Sequence, residues 1–311
     1  MEQRVLGFHH ITAIAGNAKR NHDFYTRVLG LRFIKKTVNF DDPGTYHFYF
    51  GDESGTPGTI LTFFPWERIT KGKQGTGMTT ETGYAVPAGS LDFWRERLRH
   101  NDVRITGEGN RFGEAYVSFE DPDGLPLSMV VPGSADTRRP WETAEVNTTV
   151  ATRGFHSITL SLGSVTETAK VISDIFDYTL AERDGNRHRY RTDAVGNASI
   201  IDLLEAPGQP RGINAGGTVH HVAFRVRNEE VLMQYREKVL RHGLSITPKI
   251  DRNYFFSLYF REPGGVLFEL ATDNPGFGID ESVDELGTHL KLPPQYEARR
   301  AEIEKILPAL N

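Results

Sequence analysis

The sequence predicts an α+β fold made of four copies of one βαβββ unit, arranged as two domains and closed by a C-terminal helix. Three observations carry that prediction. Gly154-Phe155-His156-Ser157-Ile158-Thr159 echoes Gly7-Phe8-His9-His10-Ile11-Thr12, and Val219-His220-His221-Val222 opens another copy of the same strand. Each of these strands leads into a helical stretch and then short strands punctuated by Gly and Pro, and self-similarity at such a period marks an internally repeated fold. The stretch from Pro132 to Thr152 is rich in Ser, Thr, Asp and Arg without apolar periodicity, as in an interdomain linker. The expected domains are 1–150 and 151–311, with two repeats in each.

Copy one reads as a strand from Phe8 to Ala15, a helix from Lys19 to Leu29, and three short strands ending near Phe64, with Gly30, Pro43-Gly44 and Pro57-Gly58 between them. Copy two runs from Glu81 through a helix from Ser90 to Asn101, with Leu91, Trp94 and Leu98 on one face. It then passes the turn Asp121-Pro122-Asp123-Gly124 to reach Leu127 to Val131. This copy looks chemically bare. Copy three has Val165, Ala169, Ile172 and Phe176 aligned on its helix and ends at Ser199 to Leu204. Copy four spans Thr218 to Thr272, with Leu232, Tyr235 and Val239 on the buried helix face and Pro263-Gly264-Gly265 before its last strand. A final helix is expected from Tyr296 to Leu310, with Ile303, Ile306, Leu307 and Leu310 docking on the core or on an oligomer interface. The glycine-rich Gly72 to Gly77 lacks the ending of a phosphate loop and reads as a mobile surface loop. The basic run Arg187-His188-Arg189-Tyr190-Arg191 falls on a strand, where alternation and salt pairing explain it better than nucleic-acid binding does.

With 38% apolar and 25% charged residues, the chain belongs among globular proteins large enough for proper cores. It has no cysteine, so disulfides, thiolate metal sites and cysteine nucleophiles are excluded and any metal must take N and O ligands. A net charge of -5 gives no footprint for nucleic acid or an anionic membrane. Met1-Glu2-Gln3-Arg4 lacks the apolar stretch of a secretory leader, and no run approaches the roughly 18 to 20 apolar residues of a membrane span. A cytoplasmic protein acting on a small molecule is the expectation.

Laying the repeats over one another compares one structural position four times. The position of His221 holds His10 in copy one, Ser157 in copy three and, on this overlay, Gly83 in copy two. The position of Glu269 holds Thr62 and Ser128 in copies one and two, and Asp202 is the nearest carboxylate in copy three. A lone histidine in an apolar strand is most often a satisfied core residue. Recurrence at equivalent strand positions, with a glutamate in an apolar run where packing prefers valine or isoleucine, is harder to explain that way. His10, His221 and Glu269 form a set of two histidines and one carboxylate, the donors of a non-haem Fe(II) site with open positions, and Mn(II) fits them as well. Side chains alternate along a strand, so one histidine of each adjacent pair is expected in the pocket and the other behind it.

These features resemble the vicinal oxygen chelate superfamily of glyoxalases, bleomycin-resistance proteins and extradiol dioxygenases, over nearly the whole chain. The motifs that carry the likeness are Phe8-His9-His10-Ile11-Thr12, Thr56-Pro57-Gly58-Thr59, Asp184 to Arg191, Val219-His220-His221, Tyr259 and Pro263-Gly264-Gly265-Val266-Leu267-Phe268-Glu269. More narrowly, they are similar to ring-cleaving dioxygenases of the chlorohydroquinone 1,2-dioxygenase type. The resemblance implies two glyoxalase-like domains with cupped mixed sheets, and metal on His10, His221 and Glu269. It also implies substrate or proton-transfer roles for His9, His220, Thr12, Arg252 and Tyr259. The implied partners are a small aromatic substrate and O2, with a homo-oligomer open. A three-residue hairpin at Pro263 to Gly265 would put Tyr259 opposite Glu269, beside the metal. A strand tyrosine that merely packs, and an Arg252 that merely pairs with Asp251, are the plain alternatives.

The competing functions are a catechol-opening extradiol enzyme, a glyoxalase-type isomerase or lyase, and a non-catalytic binder. The isomerase usually adds a carboxylate at the metal to move a proton, where copy one has Thr62. A binder has no need of the three ligands.

Overall fold

The computed structural model describes residues 3–310. Met1 and Glu2, on which part of the leader expectation rests, lie outside them, as does Asn311. Copy one comprises β1 (Phe8–Ala15), α1 (Ala18–Asp23), β2 (Arg32–Val38), β3 (Tyr46–Gly51) and β4 (Ile60–Pro65). Copy two comprises β5 (Met78–Ala85), α2 (Leu91–His100), β6 (Ile105–Arg111), β7 (Glu114–Glu120) and β8 (Pro126–Val130). Copy three contains β9 (Phe155–Leu162), α3 (Thr166–Lys170), β10 (Thr179–Asp184), β11 (Arg187–Arg191) and β12 (Ile200–Glu205). Copy four contains β13 (Thr218–Val226), α4 (Glu229–Arg241), β14 (Ile250–Asp251), β15 (Phe255–Arg261) and β16 (Leu267–Pro275), and α5 (Arg300–Ile306) follows.

The strands form two eight-stranded mixed sheets, ordered β14-β15-β16-β13-β1-β4-β3-β2 and β10-β11-β12-β9-β5-β8-β7-β6. The α+β class and the cupped sheets agree with expectation. Each sheet takes one repeat from either half of the chain: copy one pairs with copy four, and copy two with copy three. The sheets therefore cross the 150/151 division. Copies one and four join where β1 runs antiparallel to β13, with β4 parallel on its other side, and all eight residues of β1 are buried.

Helix starts and stops follow local chemistry. Asn17 caps α1 by accepting from the Arg20 N–H at 2.8 Å, and Asn228 caps α4 by accepting from Val231 at 3.0 Å. A wider π-helical turn, Phe24–Val28, continues α1, and the chain leaves it through Gly30 at φ +68°. The buried faces of α2 and α4 are Leu91, Trp94 and Leu98, and Val231, Leu232, Tyr235 and Val239. Among the described residues no helix is long and apolar enough to cross a membrane.

Two expectations need correction. The terminal helix is shorter than Tyr296 to Leu310: a 3₁₀ turn, Pro294–Arg299, precedes α5, and Leu307 is extended because Pro308 follows it. Ile303 and Leu307 still enter the core, whereas Ile306 is exposed, and the segment docks through a 2.7 Å bond from the Tyr296 hydroxyl to the Phe40 carbonyl. Gly72 to Gly77 is a clasp rather than a free surface loop. It exchanges backbone hydrogen bonds with 210–216, including Gly72 N to Gly216 O at 2.8 Å and Thr76 N to Pro210 O at 3.0 Å. A Cβ on Gly75 would lie 2.5 Å from the Pro210 carbonyl, so close backbone approach explains that glycine.

Candidate metal centre

The hairpin between β15 and β16 closes with the Glu262 N–H donating to the Val266 carbonyl, which leaves the expected three-residue loop and sets Tyr259 opposite Glu269. Glu269 is fully buried. It faces the junction of β1 and β13, where Thr12 pairs with His221. His10 Nε2 lies 3.2 Å and His221 Nε2 2.8 Å from Glu269 Oε2, and the two imidazole nitrogens are 3.4 Å apart. The ligand atoms of these three residues all lie within 4.8 Å of one another, so the structure brings together the three expected metal ligands.

The residues behind this set fix its orientation. His10 Nδ1 is 2.9 Å from His9 Nδ1, and His221 Nδ1 is 2.8 Å from His220 Nδ1. The β1 to β13 ladder is irregular between Phe8 and His10, a bulge that re-aims neighbouring side chains. Burial, with His221 second, pushes His220 down to about 3, and burial with His10 drives His9 well below the ordinary imidazole range. Neutral His9 and His220 can accept the Nδ1 proton of their neighbours, leaving Nε2 of His10 and His221 bare toward Glu269. The Ser257 hydroxyl donates to Glu269 Oε1 at 2.5 Å. Burial alone would raise the Glu269 carboxyl, yet positive charge on the His10 and His221 side, whether a proton or a cation held by their Nε2 atoms, holds it well below the usual carboxylate range. Burial lowers His221 against the pull of Glu269.

Glu269 Oε2 therefore ends buried with no properly oriented hydrogen bond. An unpaired buried carboxylate oxygen beside two bare imidazole nitrogens is costly, and a divalent cation satisfies all three at once. The residues fit a metal. The position equivalent to Glu269 in copy one is Thr62, whose hydroxyl donates to Thr12 Oγ1 at 2.9 Å, so no fourth acid completes the set.

A cavity of about 280 Å³ opens beside the triad, lined by His10 and His221 together with His47, Tyr49, Phe64, Trp66, Phe255 and Leu267. Tyr259 and Arg252 are on its wall, joined by a 3.3 Å bond from Arg252 Nε to the Tyr259 hydroxyl. Arg252 leans toward Asp41 at 3.5 Å, and Asp251 instead accepts from the Asn253 N–H. Burial, with Glu269 next, raises Tyr259 above the ordinary phenol value, so it remains a proton donor. The one-in, one-out expectation for adjacent histidines is half right: His220 reaches the cavity wall, whereas His9 packs on Phe255 with ring centroids 5.1 Å apart. Thr12 is sealed in the core beneath Thr62.

Sequence reasoning missed Ser257, His47 and Tyr49. Each shares a strand face with a neighbour two residues away, Ser257 with Tyr259 and His47 with Tyr49, and that alternation was the available signal. It also misplaced copy two. In β5 Gly83 pairs with Ser157 and with Ser128, as Thr12 pairs with His221 and with Thr62, so the position of His10 is held by Glu81. Ladder irregularities on both sides of this stretch, between Thr79 and Glu81 and between Gly83 and Tyr84, obscured the count.

The sequence profile of the Glyoxalase/Bleomycin resistance protein/Dioxygenase superfamily matches residues 7–129 and 152–270. The chain is 46% identical over 308 residues to "Putative ring-cleaving dioxygenase MhqO" of Bacillus subtilis, covering 98% of this chain and 96% of that protein. It is 37% identical over 311 residues to the chlorohydroquinone/hydroquinone 1,2-dioxygenase of Sphingobium indicum, covering 97% and 96%. A crystal structure of a "putative dioxygenase" from Bacillus subtilis superposes with a TM-score of 0.95 at 44% identity, over 99% of this chain and 98% of that one. Glyoxalase I from Zea mays shares the fold, with a TM-score of 0.63 at 17% identity over 87% and 92% of the two chains.

Proposed function

Because this chain belongs to the glyoxalase, bleomycin resistance protein and dioxygenase superfamily, we propose that it is an Fe(II)-dependent ring-cleaving dioxygenase that opens a hydroquinone beside a hydroxyl with incorporation of O2. The observation that carries this reading is the buried triad of His10, His221 and Glu269, with an unsatisfied carboxylate oxygen facing two imidazole nitrogens beside a cavity. Fe(II) held there would supply a Lewis acid for a ring oxygen and one-electron chemistry toward O2, and Mn(II) suits the same donors. The relatives' names support the reaction class.

The chain's own groups divide the remaining work. His9 and His220 hold the ligand imidazoles in one tautomer. Tyr259, a phenol beside Glu269 with Arg252 donating to its oxygen, is placed to give a proton to an oxygen at the triad. The aromatic walls exclude water around a single ring, and 280 Å³ lies near the small end of small-molecule sites, which run from roughly 300 Å³ upward. Thr62 in the fourth position weighs against a proton-shuttling isomerase. Domains at 1–150 and 151–311, each carrying two repeats, are part of this proposal.

The test is anaerobic loading with Fe(II), followed by oxygen uptake with a panel of hydroquinones and catechols. We expect para-dihydroxylated rings to give the higher kcat/KM, and Tyr259→Phe to keep its iron while turnover falls by about 10²-fold. A clear catechol advantage moves the protein to the extradiol alternative with the triad intact. Unchanged turnover in Tyr259→Phe reduces that residue to packing.

A further inference from the structure

The cavity wall formed by β3 and β4 carries a hydrogen-bond chain that none of the roles above uses. It runs from β3 through β4, the immediate neighbour of β1, and reaches β1 at Thr12, with β3 two strands or roughly 10 Å across the sheet from β1. Tyr49 and His47 project from the same face of β3, and both line the cavity. The Tyr49 hydroxyl is 2.9 Å from His47 Nδ1, and His47 Nε2 is 2.9 Å from Thr62 Oγ1. Thr62 in turn donates to Thr12 Oγ1 at 2.9 Å. The direction of the last bond sets the others. Thr62 has one proton and gives it to Thr12, so it can only accept from His47. His47 then carries its proton on Nε2 and presents a bare Nδ1, to which the Tyr49 O–H donates. Burial drives His47 well below its ordinary value and Tyr49 well above, so both stay neutral.

With its proton committed to His47, the Tyr49 oxygen retains only acceptor capacity toward the cavity. The other polar groups on that side are less free. Asp41 is largely exposed, Arg252 is engaged with Tyr259 and Asp41, and the Asn39 side-chain oxygen already accepts from the Asp41 N–H. The two oxygens of a para-dihydroxylated ring lie on opposite sides of it, so a ring with one oxygen at the triad needs a partner for the other elsewhere on the cavity wall, where Tyr49 offers an acceptor.

We infer that Tyr49, oriented by His47, is a specificity-determining residue that accepts a hydrogen bond from the ring hydroxyl para to the one directed at His10, His221 and Glu269. This rests on the dioxygenase reading for the ligand class. His47 acts through Tyr49 as a positioning residue. The site selects rings whose distal group can donate, because a ring without a donor there leaves the buried phenol oxygen unpaired.

Calorimetric titration of the anaerobic Fe(II)-loaded protein with hydroquinone and with phenol tests this, since phenol lacks only the distal hydroxyl. Wild type is expected to bind hydroquinone about tenfold more tightly than phenol. Tyr49→Phe should bring the two affinities together by weakening hydroquinone and leaving phenol unchanged. His47→Leu keeps the Tyr49 hydroxyl but frees its proton, so it should narrow the same ratio and improve binding of 4-methoxyphenol, whose distal oxygen only accepts. This second variant carries the test if Tyr49→Phe does not fold. A ratio unchanged in both variants, or a wild type that binds the two ligands equally or binds neither, overturns the assignment. Oxygen uptake is read separately: no uptake with any dihydroxybenzene, alongside a Tyr49-dependent preference for hydroquinone, refutes the dioxygenase reading and leaves the contact standing.

Discussion

Glu269 and Asp202 occupy the same position in the two sheets. Each sits on the strand parallel to the first strand of its repeat, Glu269 beside Ala223 and opposite Tyr259, Asp202 beside Thr159 and opposite Arg189. Their surroundings solve the problem of a buried carboxylate in opposite ways. Arg189 clamps Asp202 with bonds of 2.8 and 2.9 Å and reaches Glu114 at 2.5 Å, while Arg187 approaches Asp202 at 3.4 Å. Glu81, at the position of His10, is held by Arg111 and by the hydroxyls of Ser118 and Ser128, each at 3.1 Å. Arg191 also approaches Glu114 at 3.8 Å, so each of these three carboxylates has a guanidinium partner within the second half-barrel. In the first half-barrel the imidazole of His10 stands in place of Glu81, that of His221 in place of Ser157, and the phenol of Tyr259 in place of the clamping arginine. With no internal cation opposite Glu269, the fold leaves room for an external one. The difference lies in which counter-charges each sheet withholds.

The sharpest way to break this comparison is to exchange a single residue on each side. His221→Ala should abolish metal binding, measured as the metal-to-protein ratio after anaerobic loading, whereas Asp202→Asn should leave that ratio unchanged. Full metal content in His221→Ala would shift the ligand role to His220.

The next effect is on stability and belongs to the second half-barrel alone. Burial would raise Glu114, but His156, the Gly133 N–H and Arg189 outweigh it and hold the carboxyl down to about 2, against an ordinary value of 4.5. A depressed folded pKa stabilises the protein above the unfolded value, and the benefit disappears as pH falls toward about 2. Glu114→Gln should therefore cost roughly 3 kcal/mol at pH 7, and the loss should shrink steadily below about pH 4.5. Denaturant unfolding at a series of pH values gives the answer, and a deficit that does not vary with pH would mean that packing rather than charge holds Glu114.

The smallest effect sharpens the picture of the first half-barrel. Ser257→Ala removes the one side-chain donor to Glu269 Oε1 and should weaken metal binding by about 10-fold to 100-fold, read by competition with a chelator, without loss of fold. Unchanged affinity would show that the triad needs no support from β15.

Much of this was legible beforehand, and what was missed has physical reasons. The repeats announce themselves through Phe8-His9-His10 and Phe155-His156-Ser157, because a buried strand start constrains sequence strongly. The grouping of His10, His221 and Glu269 could be read because an imidazole pair and a glutamate are out of place in apolar strands. The pairing of copy one with copy four was not legible, since hydrophobic alternation tells a strand which face is buried but not which neighbour it will find. Glu81 escaped because a bulge changes a residue count without leaving a mark in composition. His47 and Tyr49 read as ordinary residues of a β strand until the fold set Thr62 beside them. Gly72 to Gly77 looked free because its partner lies more than 130 residues along the chain, as in the bond from Thr76 to Pro210.

The pairing of the outermost repeats also sets an order of events while the chain is being made. The second sheet uses only strands between Met78 and Glu205 and can close as soon as that contiguous stretch exists. The first sheet cannot. Strand β1 is made well before β13 and waits with one edge unpaired until β13 arrives, and His10 is separated from His221 by 211 positions. Contacts of such long separation are slow to form, and a waiting apolar edge is where a partly made chain sticks to others. His10, His221 and Glu269 come together only when β13 and β16 have joined β1, so the proposed capacity to hold a cation reports that the first sheet has closed.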